Sequence, residues 1–194
     1  YLPIDPEDVG RVYEADVIRI NSQSGKGGIG YILENQFGII MPPNMRETVG
    51  YLVKNVSDNA HRELMPSEVY NVFEKTFINK QSPVSLKEAH YVQKDGIEAD
   101  VTIEYNGEII NEKAHGNGRL NAVSVCMKKM LGIEYVLHTY TEHAMEEKAT
   151  SKAVSYVGIK DNNGKNFWGV GIATDIIDSS LKALVSAVNN MIED

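Results

Sequence analysis

The sequence has a single cysteine, Cys126, among 194 residues. One cysteine cannot form an internal disulfide, which excludes the disulfide-stabilised class of small secreted domains and favours a reducing, cytoplasmic setting. The chain also lacks any apolar run near the roughly 20 residues of a membrane-spanning helix, and it has no signal-peptide pattern. These absences predict a protein without membrane partners and without disulfide support.

Basic residues are also in deficit. Nineteen Lys and Arg against 27 Asp and Glu give a formal net charge of -8. An acidic surface repels nucleic-acid phosphates and anionic lipids, so neither is an expected partner. Hydrophobic residues make up 42 % of the chain, which is enough for a core rather than a disordered tail. The first residue is not methionine, which predicts a piece of a longer protein.

The first 43 residues are predicted to form a small β-rich unit. Apolar residues at 17–20 favour one strand, a glycine-rich run at 24–28 favours a turn, and the run at 31–33 favours the partner strand. The glycine-rich run does not fit a phosphate-binding loop. The required first glycine is replaced by Ile20, and Gly27 stands where Ser or Thr would hold magnesium.

Residues 44–82 are predicted to be helical. Apolar residues recur at helical spacing in two stretches, and the second begins near Pro66, which suits a first helical turn. A connector at residues 80–83 then leads into the last unit. The two predicted apolar faces carry Val49, Leu52, Val53 and Val56, and Val69, Val72, Phe73 and Phe77.

From residue 83 onward one plan is repeated twice, which predicts an α+β fold of two β-β-β-α units related by a pseudo-twofold axis. In the first unit, residues 97–105 alternate apolar and polar side chains as a half-buried strand does. Asn106-Gly107 favours a tight hairpin, and a helix follows the next strand. The second unit repeats this order around Asn163-Gly164. Its strands are predicted at residues 135–141, 153–159 and 167–173.

Two sets of reactive side chains favour structural rather than chemical roles. His138, Glu142 and His143 are spaced one residue too widely for the H-x-x-E-H zinc pattern, so surface or hydrogen-bonding roles are expected. Cys126 lies between apolar neighbours on a predicted helix and no pattern pairs it with a base. It is therefore predicted to be a buried structural thiol.

Glycine-rich corners are predicted at two helix starts. Gly116-Asn117-Gly118 precedes the helix of the first unit, and residues 169–172 are predicted to form a similar corner in the second. One interpretation is a helix cap with a tight turn. The other is a ligand site, because free N–H groups at a helix start favour a carboxylate such as that of an amino acid.

Four runs of sequence resemble the 2-isopropylmalate synthase family, which carries out the first committed step of leucine biosynthesis. They cover essentially the whole chain in the family's order. The resemblance implies linker subdomains at residues 1–43 (small α/β) and 44–82 (helical), a C-terminal regulatory domain at 83–194, and a catalytic barrel before Tyr1. The runs are residues 1–34, AHGNGRLNAV at 114–123, YTEHA at 140–144 and FWGVGIATDIIDSSLKALVSAVNNMI at 167–192.

The family condenses acetyl-CoA with 2-oxoisovalerate, using a divalent metal (Mg²⁺, Mn²⁺ or Zn²⁺) held in the barrel. This chain lacks the barrel's ligands and acid–base residues, so the resemblance implies no catalysis, catalytic residue or cofactor in the chain itself. It also implies a homodimer whose regulatory domain binds L-leucine, so that the pathway's end product inhibits the distant barrel through the linker.

The resemblance further implies a leucine pocket in which aliphatic side chains surround the isobutyl group and small residues leave room for it. Backbone groups near Gly116 and Asn117 would meet the charged ends of the ligand. Tyr1 resembles a linker position close to the family's active site and is implied as a coupling residue. The implied pocket residues are Gly116, Asn117, Leu120, Leu137, Tyr140, Ala144, Ser151, Ala153, Ile172 and Ala173.

Two other interpretations stay open at this point. The regulatory region of citramalate synthase shares the architecture and binds isoleucine, and the pocket residues alone do not separate the two branched ligands. The chain could also be a dimerisation module without an effector.

Overall fold

The computed structural model describes residues 26–145 and 151–194. Tyr1, the predicted strand at 17–20 and residues 146–150 lie outside the described residues. Within the described part, no helix is long and apolar enough to cross a membrane. The elements are α1 Lys26–Phe37, α2 Arg46–Ala60, α3 Pro66–Phe77, β1 Val84–Gln93, β2 Ile97–Tyr105, β3 Glu108–Gly116, α4 Arg119–Leu131, β4 Val136–Met145, β5 Lys152–Lys160, β6 Asn166–Ala173 and α5 Ile176–Ile192.

The first β-β-β-α unit is an antiparallel sheet in the order β1-β2-β3, with α4 packed on one face. Asn106 and Gly107 have φ of 52° and 80°, so both residues of the predicted hairpin adopt the left-handed conformation that they tolerate. Ala99, Val101 and Ile103 alternate along β2 and are fully buried. The predicted alternation is therefore confirmed, and it directs one face of the sheet onto the helix.

The second unit repeats the first. Its sheet has the order β4-β5-β6, and α5 packs on β5 and β6. The first strand of each unit carries a register shift at the same place, between Leu86 and Glu88 in β1 and between Leu137 and Thr139 in β4. Gly164 ends the second hairpin turn at φ 82°. The shared order, bulge and turn confirm the predicted duplication.

The two sheets differ on the face turned away from their own helix. On β5 and β6 of the second sheet that face is apolar and buried, because α1, α2 and α3 pack against it. In the first sheet the outer face carries polar and charged side chains instead, such as the ion pair Asp100–Lys113 and the neighbouring Glu98 and His115. The central strand β5 is consequently buried on both sides. The sheet residues under the three helices are Val154, Tyr156, Trp168 and Val170.

The predicted strand at residues 31–33 is wrong, because these residues lie in α1. Ile29, Ile32 and Leu33 are buried while Tyr31 is exposed, so the burial follows helical rather than strand periodicity. Residues 26–28 of the predicted glycine turn also belong to this helix. Gly27 and Gly28 are exposed in its first turn, where a Cβ added to either would have nothing within 4 Å.

The two helices predicted in residues 44–82 are confirmed as α2 and α3. Pro66 opens α3, and Glu68 closes its first turn. The Glu68 carboxylate accepts hydrogen bonds from the Met65 N–H at 2.8 Å and from the Arg62 guanidinium at 2.9 Å. These bonds tie the α2–α3 loop to the start of the helix.

Substituting Glu68 with Gln is expected to lower stability at neutral pH and to make no difference once the pH is well below 2. The Arg62 hydrogen bond and then the Met65 N–H lower the pKa of Glu68 from 4.5 to about 2. The carboxylate's contribution is thus complete above pH 4.5 and is lost as the pH falls through 2. Urea unfolding of both proteins across this range tests it, and a difference independent of pH would contradict it.

Candidate functional site

Three of the residues implied by the family resemblance form a row across the second sheet. Ala144 pairs with Ala153, and Ala153 pairs with Ala173. Paired residues of antiparallel strands share a face, and this face is the one that carries Ser155 and faces α5. The row lies at the end of the sheet next to the start of α5. Three methyl groups in register leave a shallow apolar floor there.

A cavity of about 330 Å³ lies against this row, between β4, β5 and the start of α5. Its size is at the lower end of the about 300–1,000 Å³ that small-molecule sites have. It brings together Ala144, Ser151 and Ala153 of the predicted set. Its lining residues are Glu142, His143, Ala144, Ser151, Lys152, Ala153, Thr174 and Ile176.

Polar groups stand on the same sheet face next to the cavity. The Tyr140 hydroxyl donates a hydrogen bond to the Glu142 carboxylate. Burial, and then this bond, raise the pKa of Tyr140 to about 12, so the phenol is neutral. Ser155 and Ser179 hydroxyls lie 2.7 Å apart deeper on that face. The Glu142 carboxylate can meet a cationic group of a ligand.

The start of α5 supplies the opposite polarity. Asp175 caps the helix by accepting a hydrogen bond from the Asp178 N–H at 3.0 Å. The N–H groups of the first helical residues, Ile176 and Ile177, have no acceptor within the helix, as in any α-helix. A helix start of this kind favours an anionic group. The cavity therefore lies between a carboxylate and a helix N-terminus.

The three predicted residues of the first unit lie elsewhere. Gly116, Asn117 and Leu120 stand at the start of α4, and none of them lines the cavity. The Asn117 N–H donates to Asn121 Oδ1 at 3.2 Å. A Cβ added at Gly116 would lie 2.4 Å from the Ala122 nitrogen. The glycine is needed for the close approach of β3 to α4, and Gly118 is the helix cap as predicted.

The remaining predicted residues occupy other surroundings on the second sheet. Ile172 pairs with Val154, so its side chain faces the three N-terminal helices rather than the alanine row. It lines a second cavity of about 860 Å³, bounded by α1, α3 and the neighbouring strand ends, which Ala144 also lines. Leu137 packs against the core between the sheets. The predicted pocket is thus divided within one chain.

The predicted helix-start corner at residues 169–172 is wrong, because these residues lie inside β6 and α5 begins only at Ile176. The two glycines have a packing role. A Cβ at Gly169 would lie 2.1 Å from the Ala183 carbonyl oxygen, and one at Gly171 would lie 1.7 Å from the Ser179 carbonyl oxygen. They allow the backbone of α5 to lie directly on the strand.

The histidines of β4 make packing and hydrogen-bonding contacts. His143 Nε2 lies 2.8 Å from the Tyr156 hydroxyl, and the His138 ring meets Trp168 edge-on at 5.3 Å. Among the described residues, no three side chains of metal-ligating type lie close enough to hold an ion.

Cys126 is fully buried in α4, as predicted, with its thiol directed at the carbonyl oxygens of Ala99 and Glu112. Burial raises the pKa of the thiol to about 11. We expect no labelling by a thiol reagent at pH 8 until the protein unfolds, because the thiolate is the reactive form. Labelling at increasing urea, followed by mass spectrometry, tests this, and rapid labelling of the native protein would contradict it.

The predicted pocket residues did not include Glu142, Thr174 and Ile176, which also line this cavity. The available signal was the polar pair Tyr140 and Glu142, two residues apart on a strand and therefore on one face. The contact of this pair with the start of α5 depends on tertiary packing, which no local pattern contains.

Comparison with known proteins agrees with this architecture. Residues 63–192 match the family described as LeuA allosteric (dimerisation) domain. Residues 1–34 match the family described as alpha-isopropylmalate synthase, post-catalytic domain-like.

Full-length relatives extend the match to the whole chain. The 2-isopropylmalate synthase of Desulfitobacterium hafniense is 50 % identical over 100 % of this chain and 35 % of its own length. The enzyme of Helicobacter hepaticus is 44 % identical over 99 % of this chain and 36 % of its own length. The enzyme of Corynebacterium glutamicum (strain R) is 39 % identical over 100 % of this chain and 32 % of its own length. The chain thus spans about a third of these relatives. The resemblance seen in the sequence is confirmed, and the chain belongs to the LeuA allosteric (dimerisation) domain family.

Proposed function

We propose that the chain is the C-terminal regulatory part of a 2-isopropylmalate synthase and that it binds L-leucine as a feedback inhibitor. The observation that carries the proposal is the alanine row Ala144–Ala153–Ala173 beside the start of α5, in a chain that matches such synthases over its whole length. The inhibited reaction is the condensation of acetyl-CoA with 2-oxoisovalerate in the cytoplasm.

The chemistry of the cavity suits an aliphatic amino acid. The alanine row and the exposed side chain of Ile176 offer apolar surface for an isobutyl group. The Glu142 carboxylate offers a partner for the ammonium group, and the start of α5 offers N–H donors for the carboxylate. A ligand with an ammonium group, a carboxylate and a branched apolar chain can contact the Glu142 carboxylate, the start of α5 and the apolar surface at the same time.

We further propose that the pocket is completed in a homodimer. Gly116, Asn117 and Leu120 lie at the start of α4, the position in the first unit that corresponds to the start of α5 in the second. An isologous dimer could bring this corner of one protomer to the alanine row of the other. The exposed apolar residues Val136, Tyr140 and Ile176 favour burial in such an interface.

The condensation itself is assigned to a barrel in the whole protein, with its own divalent metal. The chain alone is proposed to be inactive, and Tyr1 is proposed to take part in coupling to the barrel. The boundaries at residues 43 and 82 stay predictions.

Calorimetric titration of this chain with leucine and isoleucine tests the proposal. We expect leucine to bind with a micromolar Kd, equivalent to about -8 kcal/mol. At 100 times the Kd, leucine should stabilise the native state by about 2.7 kcal/mol per site. Binding of isoleucine alone would favour a citramalate synthase, and binding of neither would favour an effector-free module. Sedimentation at micromolar concentration should give a dimer.

A further inference from the structure

The segment that leaves α3 lies along the outer edge of β6. Ile78 forms a parallel bridge with Val170, and the Asn79 N–H donates to the Val170 carbonyl oxygen at 2.9 Å. An edge strand normally presents unpaired N–H and C=O groups to solvent. Here the connector between the three helices and the two β-β-β-α units occupies that edge.

The Asn79 side chain continues this pairing in place of a peptide group. Its Oδ1 accepts a hydrogen bond from the Ile172 N–H at 2.9 Å, and its Nδ2 donates to the Ile172 carbonyl oxygen at 3.0 Å. One side-chain amide therefore satisfies both backbone groups of one strand residue. Asn79 has φ 49°, a left-handed conformation that Asn adopts more readily than most residues. Asn79 therefore hydrogen-bonds to β6 through both its backbone and its side chain.

Ile172, whose backbone the Asn79 amide holds, lies between the N-terminal helices and the alanine row. Ile172 packs its side chain among the N-terminal helices, while the next residue, Ala173, belongs to the alanine row. The connector beyond Asn79 is also fixed, because the Lys80 N–H donates to Ser186 Oγ at 2.7 Å and Asn189 Nδ2 donates to the Lys80 carbonyl oxygen at 2.9 Å. A change in β6 at the row therefore reaches α3 through a short, fully hydrogen-bonded path.

We infer that Asn79 is the positioning residue that couples the effector site on the second sheet to the helical segment α1–α3. This inference rests on the proposed function, since it concerns the response to leucine at that site. Leucine on the alanine row holds β6 in one position, and the Asn79 amide transmits that restraint to the end of α3. Without the amide, leucine still binds but the helices no longer respond.

Hydrogen exchange measured by mass spectrometry on the 194-residue chain tests this inference with Asn79→Gly. Glycine keeps the positive φ and the backbone N–H but removes the amide. In the wild type, saturating leucine should slow exchange about fivefold or more both in β4–β6 and in α3. In the variant, the slowing in β4–β6 should persist and that in α3 should disappear. His61→Gly is the matched control, because His61 also has positive φ, 52°, and is exposed at the end of α2.

A purely structural role predicts a different pattern. Asn79→Gly would then speed exchange in the absence of leucine but leave the leucine-dependent slowing in α3 intact, and this result would overturn the inference. A wild type that responds in β4–β6 but not in α3 would overturn it as well. No leucine response in either part of the wild type would instead overturn the proposed function, and the inference with it. If the glycine variant does not fold, Asn79→Asp is used in the same test. It keeps the acceptor for the Ile172 N–H but removes the donor to the Ile172 carbonyl oxygen.

Discussion

Replacing Gly171 with alanine is expected to destabilise the protein by about 3 kcal/mol or more, the upper range for overpacked sites. The added Cβ would lie 1.7 Å from the Ser179 carbonyl oxygen and 2.7 Å from the Ala183 nitrogen. Both are backbone atoms of α5, so no side-chain rotation can make room. The helix would have to move away from β6, and the buried contacts of Leu184 and Val188 would be lost with it.

Urea unfolding followed by circular dichroism measures this effect, with Gly28→Ala as the control. Gly28 is exposed in α1, and a Cβ there has nothing within 4 Å. Alanine should therefore stabilise the helix, by about 0.5–1 kcal/mol. A Gly171→Ala protein with unfolding free energy within 0.5 kcal/mol of the wild type, roughly the size of a neutral surface substitution, would contradict the packing argument.

Replacing Ala144 with leucine is expected to weaken leucine binding about 100-fold or more while the fold is retained. Ala144 is exposed on the edge strand β4, so a larger side chain costs little there. It lies in the alanine row and lines the cavity of about 330 Å³, so the new isobutyl group would occupy the space proposed for that of the ligand. A 100-fold loss corresponds to about 2.7 kcal/mol of binding free energy.

Calorimetry with leucine measures this loss, and Thr141→Leu is its control. Thr141 is exposed on the same strand but pairs with Tyr156, which places it on the opposite face of the sheet. The control should bind leucine as the wild type does. Unchanged affinity in Ala144→Leu would mean that the pocket lies elsewhere, whereas equal loss in both variants would indicate a general effect on β4.

Local patterns predicted the fold well where one side of an element is buried and the other is solvated. The alternation in β2, the Asn106-Gly107 turn and the apolar face of α3 all have this character, and all are confirmed. The β-β-β-α order recurs in the second half, and this repetition supported the prediction of two similar units more strongly than any single segment did. Such patterns predict the type of element because one-sided burial places apolar residues at the period of a helix or a strand.

The failures have physical causes as well. The three residues Tyr31, Ile32 and Leu33 fit a strand or a helix equally, and only the helical position of Ile29 separates the two. Gly169 and Gly171 were expected at a helix start because glycine is common there. They are in fact required by the close approach of the helix α5 to the strand β6, which depends on tertiary packing and has no local sequence pattern.

The candidate site was predicted only in part, because its residues come from different surroundings. Ala144, Ala153 and Ala173 are brought together by the register of three strands, and no local pattern specifies that register. Ile172 differs from its neighbour Ala173 only by one position, yet it faces the opposite side of the sheet. The group at Gly116, Asn117 and Leu120 requires a second chain in the proposed pocket, which a single sequence does not describe.

The unequal outer faces of the two sheets make the halves of the duplication non-interchangeable. A chimera with the second half in both places would have two apolar sheets but only one set of helices to cover them, leaving a bare surface prone to aggregation. A chimera with the first half in both places would offer the helices charged side chains such as those of Asp100 and Lys113, whose burial is unfavourable. The order of the halves along the chain is therefore fixed by solvation, although their backbones are alike.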